Sequence, residues 1–128
     1  MGYIAHDAII VTTGDHRPGG LPDIDAFRAS LPPEFRHLVI GPVPSAVNGY
    51  VSYVFLPDGS KEGWKMSDDG DEYRAQFAAL FSERYADGST SDDWVAVRYG
   101  GAAEYGDDVR VTAAHVTVLT DTEPTRAV

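Results

Sequence analysis

The sequence predicts an α+β domain built as a two-layer α/β sandwich, with two helices on one mostly antiparallel sheet. Three observations predict it. Extended and helical patterns follow one another as β, α, three β, α and two β; each helical segment is apolar along one face only; and most strands are joined by connections short enough for antiparallel pairing.

The first strand lies within residues 3–13, where the run from Ala8 to Val11 is apolar on both sides of a pleat, as expected of a central strand. Gly14 to Gly20 reads as a loop, because glycine and proline there favour turns over regular pairing. Asp23 is placed to cap a short helix whose buried stripe is Ile24, Phe27 and Leu31, and Pro32-Pro33 ends that helix for want of amide hydrogens. Extended structure resumes at Leu38–Ile40, with Gly41-Pro42 and Pro44 marking a bulge or a sheet edge.

Asn48-Gly49 is a strong hairpin signal, and Tyr50–Leu56 follows as a strand with Val51, Tyr53 and Phe55 on one face. Pro57-Asp58-Gly59 then turns the chain into a short return strand at Lys61–Lys65, anchored by Trp64, which completes a three-strand meander. Ser67, Asp69 or Asp71 caps the second helix, along which Tyr73, Phe77, Leu80, Phe81 and Tyr85 recur at helical spacing until Asp87-Gly88. Trp94–Tyr99 and Val109–Val118 supply two further strands. Residues 1–119 thus form one domain, 120–128 a flexible tail, and a ferredoxin-like split βαβ arrangement with extra strands accommodates the order.

Composition narrows the function. With 20 acidic and 10 basic side chains the net charge is −10, a field that repels phosphate backbones, so direct nucleic-acid binding is not expected. Residues 57–93 concentrate the excess, with ten acids against four bases. The absence of cysteine removes disulfides, thiolate metal sites and cysteine nucleophiles, which fits a reducing compartment. The opening Met-Gly-Tyr-Ile-Ala-His-Asp lacks a basic segment followed by an apolar one, and no apolar run approaches membrane-spanning length. A cytoplasmic protein with no membrane association is the expectation.

The segments Val47-Asn48-Gly49-Tyr50-Val51-Ser52, Pro57-Asp58-Gly59-Ser60-Lys61-Glu62-Gly63-Trp64 and Ser67-Asp68-Asp69-Gly70-Asp71 resemble a pattern in small accessory proteins of actinobacterial phages. The likeness covers residues 47–77 and, more loosely, the strands at His6–Thr12 and Trp94. It implies a setting, the cytoplasm of an infected bacterium, and no particular chemistry.

Catalytic motifs are absent. The serines lack a Gly-x-Ser-x-Gly frame, and the loop Thr12–Gly20 lacks both phosphate-binding glycine patterns and carries Asp15, whose charge opposes an anion. His6, His16, His37 and His115 lack metal-ligand spacing, although His6 and His115 would converge if the first and last strands were adjacent. Asp68, Asp69, Asp71 and Glu72 do not follow the calcium-loop pattern and are explained by helix capping. No catalytic residue, cofactor or metal is therefore expected.

The aromatics are more informative. Tyr50, Tyr53, Trp64, Trp94, Tyr99 and Tyr105 fall on strands or turns, where a sheet covered by helices on one side only would present them at a half-wet contact surface. The leading expectation is a non-enzymatic interaction protein, a phage accessory factor that binds or inhibits a host protein, itself basic or nucleic-acid-handling. Its surface would combine Tyr50, Tyr53, Trp64, Trp94 and Tyr99 with an acidic rim of Asp68, Asp69 and Asp71; the same bare face would also support a homodimer. The alternative expectation is a binder of a nucleotide-type small ligand at a dimer cleft, using Arg17, Arg98 or Arg110.

Overall fold

The computed structural model describes residues 4–101 and 109–118, in which five strands and three helices follow one another along the chain. They are β1 (His6–Gly14), α1 (Ile24–Ser30), α2 (Pro33–Arg36), β2 (Val39–Pro44), β3 (Tyr50–Phe55), α3 (Lys65–Ala79), β4 (Asp93–Tyr99) and β5 (Val109–His115). The strands form one sheet in the order β2-β3-β1-β4-β5, every neighbouring pair antiparallel. The apolar run of β1 is accordingly flanked on both sides. β1 and β2 run parallel with β3 between them, and β3 and β4 run parallel with β1 between them, so each helical connection skips one strand. β5 is added at the edge beyond β4. Tyr105 and the tail 120–128 lie outside the described residues.

The helices share one face of the sheet. Val11 stands in register with both Tyr53 and Trp94, so these three side chains point the same way. Ile9, Val11, Val39, Tyr53 and Phe55 from the sheet meet Ile24 and Phe27 of α1, Phe35 of α2, and Phe77 and Ala78 of α3 in one buried cluster. Phe77 lies at its centre, its ring centroid 6.0 Å from Phe27, 5.6 Å from Phe55 and 5.4 Å from Phe81.

Local chemistry accounts for most of the boundaries. The Asp23 carboxylate accepts the Ala26 amide at 3.0 Å and starts α1. Asp23→Ala is expected to cost about 1 kcal/mol, read as a lower urea midpoint at unchanged slope. Pro32-Pro33 does end α1, but the fixed φ of proline also suits a first helical turn, so Pro33 opens the unforeseen α2. The β2 edge carries a register shift between Ile40 and Val43, around Gly41-Pro42. Gly41 sits at φ +132°, and a Cβ there would come within 2.7 Å of the Ser52 carbonyl oxygen, so only glycine fits. Asn48 and Gly49, both at φ +70°, make the hairpin to β3.

Three expectations fail. There is no strand at Lys61–Lys65: Gly59 and Gly63 take φ +80° and +92°, which breaks extended pairing, and the Trp64 amide donates back to the Lys61 carbonyl in a turn. The meander therefore reduces to the β2–β3 hairpin, and Trp64 is the extended residue immediately before α3, not a strand anchor. The second helix also starts earlier and stops sooner than its aromatic spacing suggests, with no side-chain cap at Trp64. Beyond Ala79 the chain tightens, Phe81 donating to Ala78, and the buried Asp92 carboxylate takes the Glu83 amide that a continuing helix would need. Tyr85 consequently lies off the helix; its amide bonds Ser89 and its hydroxyl Ser91. β5 likewise ends at His115, because the Val118 amide donates to Gly88 and Thr117 accepts from the Thr90 amide.

Candidate functional site

The residues expected to form one contact surface are divided between the two layers. Tyr53 is only 2% exposed and packs on Phe81 at 4.8 Å, so it belongs to the core. Trp94 also faces the helices, half-buried and stacked on His115 at 5.9 Å. Asp68, Asp69 and Asp71 ride on α3, across the sheet from its bare face; Asp69 pairs with Lys65 at 2.9 Å and Asp71 with Arg74 at 2.7 Å. Trp64 is 52% exposed, with the Lys61 ammonium 5.8 Å from its ring centroid. Only Tyr50 and Tyr99 reach the bare face, at opposite ends, in register with Gly14 and His6. The acidic rim around sheet aromatics is therefore not assembled.

That bare face has its own pattern. Ile40, Val54, Ile10, Val95 and Ala114 stand in register, one per strand, as an apolar row across the whole sheet. Ile10 is 50% and Ile40 43% exposed, and Val111 on β5 is 61% exposed beside Val97. Ile40, Ile10 and Ala114 in this row are exposed, while Val54 and Val95 are half-buried.

Of the three arginines expected at a ligand site, Arg17 is spent elsewhere. It is 7% exposed and binds Asp92 bidentately, Nε and Nη2 each donating at 2.8 Å, while Nη1 donates to the Gly20 carbonyl. Asp92, with no exposure, also accepts from the Thr13 hydroxyl and the Glu83 amide. Burial pushes the Asp92 carboxyl up, but the hydrogen bonds from Arg17, Thr13 and Glu83, with the Arg17 charge, hold it below the usual carboxylate value. This is a structural tie between the loop after β1 and the start of β4.

Arg98 and Arg110, by contrast, line one cavity together with Arg74. It is a groove of about 650 Å³ on the helix side, between α3 and the β4–β5 pair, which the helices leave uncovered. Its walls are small: Ala75, Ala78 and Ala79 from α3, Ala96 and Ala113 from the sheet, with Trp94 to one side. The polar part is an ion-pair network. Arg98 binds Asp7 with both nitrogens, at 2.9 and 3.1 Å, and reaches Glu62 at 3.4 Å. Arg74 pairs with Asp71 at 2.7 Å and with Asp58 at 3.2 Å. Burial pushes the Asp58 carboxyl up, yet Ser60 and Arg74 hold it below its ordinary value. Arg110 stands directly opposite Arg98 in the ladder, is exposed, and makes no ion pair among the described residues.

Sequence reasoning missed Arg74 and Asp92. Arg74 did carry a signal, since it falls on the same helical face as Phe77 and Ala78, where an arginine must find acids. His6 and His115 do not converge: β4 separates their strands, and they pair with its opposite ends, Tyr99 and Trp94. Among the described residues no group of three or more His, Asp or Glu is placed to hold a metal, and no helix is long and apolar enough to cross a membrane. No protein-family model, no curated protein and no solved structure matches the chain.

Proposed function

We propose that this protein is a non-enzymatic interaction domain of ferredoxin-like build that engages a basic protein partner across its bare sheet face. The frame is supported by the order β2-β3-β1-β4 with helical connections that each skip a strand, to which β5 is an addition. The observation that carries the function is the register-aligned row Ile40, Val54, Ile10, Val95 and Ala114 left uncovered while all three helices occupy the other side. Charge selects the occupant. A second copy would bring one body of −10 against another, whereas a basic partner gains from the same field, at short range and increasingly as salt is lowered. The resemblance of residues 47–77 to small accessory proteins of actinobacterial phages supports reading the partner as a host protein in the cytoplasm of an infected bacterium, with this chain as an accessory factor.

The test compares the protein with Ile10→Asp and Val95→Asp, which put charge in the middle of the row. A basic lysate protein held by the parent, lost by both variants, weakened by salt and reconstituted from purified components is the expected result. Retention indifferent to both substitutions would overturn the reading. So would light scattering that shows a dimer dissolved by Ile10→Asp, which would make a second copy the occupant.

A further inference from the structure

We propose that Asn48 is a self-modification site, whose side-chain carboxamide is converted to a carboxylate by the backbone nitrogen of Gly49 through a succinimide that water opens. Asn48 is the only asparagine of the chain, and it stands before a glycine. Gly49 has no Cβ to screen the attacking nitrogen. Both residues are exposed, each at φ +70°, and neither the Asn48 carboxamide nor the Gly49 amide hydrogen-bonds any of the described residues. The same ring chemistry is open to Asp58-Gly59, Asp69-Gly70 and Asp87-Gly88, but there the carboxylates are engaged. Ser60 and Arg74 hold Asp58, Lys65 holds Asp69 within α3, and Ser89 holds Asp87.

The step balances with water as the sole co-reactant. The Gly49 nitrogen attacks Cγ of Asn48, a C–N bond forms, the Cγ–Nδ2 bond breaks, and Nδ2 leaves as ammonia with the proton of the Gly49 amide. Water then adds to one of the two ring carbonyls. Opening at Cγ leaves aspartate at position 48, and opening at the other carbonyl leaves isoaspartate, with the main chain routed through Cγ. Ring closure brings Cγ against the Gly49 nitrogen, a geometry the left-handed turn does not offer, so the reaction proceeds from an opened turn. That opening is local. Val47 to Tyr50 are all exposed, and the turn is closed by the Ser45 amide donating to the Tyr50 carbonyl at 2.9 Å and the Ser45 hydroxyl to the Val47 carbonyl at 2.6 Å.

The two products differ in what they do to the hairpin. Aspartate enters the left-handed region much as asparagine does, whereas isoaspartate adds a methylene to the main chain. The added length displaces the Val43–Ser52 and Pro44–Val51 pairs from the closure at Ser45 and Tyr50. Deeper in the sheet, Arg28 holds the Val39 and Gly41 carbonyls, so the loosening stays in the outer half of β2. None of this depends on what the bare sheet face binds.

The test ages the whole protein in mildly alkaline buffer and follows position 48 by peptide mapping, with hydroxylamine to cut the chain at the succinimide. First-order loss of Asn48 to a mixture of aspartate and isoaspartate is expected, at a rate nearly flat in low urea because local opening exposes little surface. Each tenfold by which the folded protein lags the urea-unfolded chain corresponds to about 1.4 kcal/mol of turn opening. Asn48→Gln, which would have to close a larger ring, should keep its mass over the same period. The isoaspartate fraction should unfold at a lower urea midpoint, while Asn48→Asp stays close to the parent. Asn48 intact in the folded protein after the unfolded chain has converted would overturn the site. Conversion that begins only with global unfolding would overturn the local opening, and equal midpoints for the isoaspartate fraction and the parent would overturn the effect on the hairpin.

Discussion

Asp92→Ala is expected to destabilise the fold by about 3–5 kcal/mol, the scale associated with stranding one member of a buried ion pair. The substitution leaves the Arg17 guanidinium, 7% exposed, without its bidentate partner, and strips an acceptor from Thr13 and from the Glu83 amide. Arg17→Ala should cost a comparable amount from the other side. Replacing both at once, as Arg17→Met with Asp92→Leu, should recover most of the loss, because the penalty lies in the orphaned charge. Urea unfolding of the three variants checks this; single variants within about 0.5 kcal/mol of the parent would refute it.

The same pair sets an acid limit. The Asp92 carboxyl is held below its unfolded value, so the folded state binds its proton less readily than the unfolded chain does. Its contribution is fully present above the unfolded carboxyl value of about 4 and is lost as pH falls through the lower folded value. Asp92→Asn should flatten the stability profile in that acid window and leave its shape near neutrality unchanged.

The second large effect is expected at Phe77. Its ring is fully buried at the junction of α1, β3 and the turn after α3, touching Phe27, Phe55 and Phe81. Phe77→Ala should cost about 3–5 kcal/mol, combining lost transfer energy with a cavity that three rigid rings cannot collapse to fill. Trp64→Ala is the contrast. That larger side chain is 52% exposed, and its removal should stay within about 0.5 kcal/mol, although the sequence suggests it as an anchor. Chemical denaturation of both variants measures the difference, and a Trp64 effect as large as that of Phe77 would contradict the packing described.

What could be read in advance follows from how local each cause is. The centrality of β1 was visible because Ala8–Val11 is apolar on both faces of its pleat, and Asn48-Gly49 and Asp23 act within a few residues of themselves. The end of α3 was not visible, since the group that captures the Glu83 amide belongs to Asp92, across a turn. The alternation of β3 separated Tyr53 from Tyr50 correctly, but which set met the helices was decided by register with Val11. The groove had no local signature either. It exists because the helices leave β4 and β5 uncovered, and its arginines come from α3, β4 and β5, more than twenty residues apart from α3 to β4.

The position of β1 has a further consequence, for synthesis. It is the earliest of the five strands to leave the ribosome, yet Ile9 stands in register with Phe55 on one flank and Ala96 on the other. Its β-branched run therefore waits with both ladders vacant until β3 has emerged, and with one still vacant until β4 follows. A nascent chain halted before residue 93 presents Ile9, Ile10 and Val11 as an apolar sheet margin, the kind of surface that chaperones shield and that seeds aggregation when they do not.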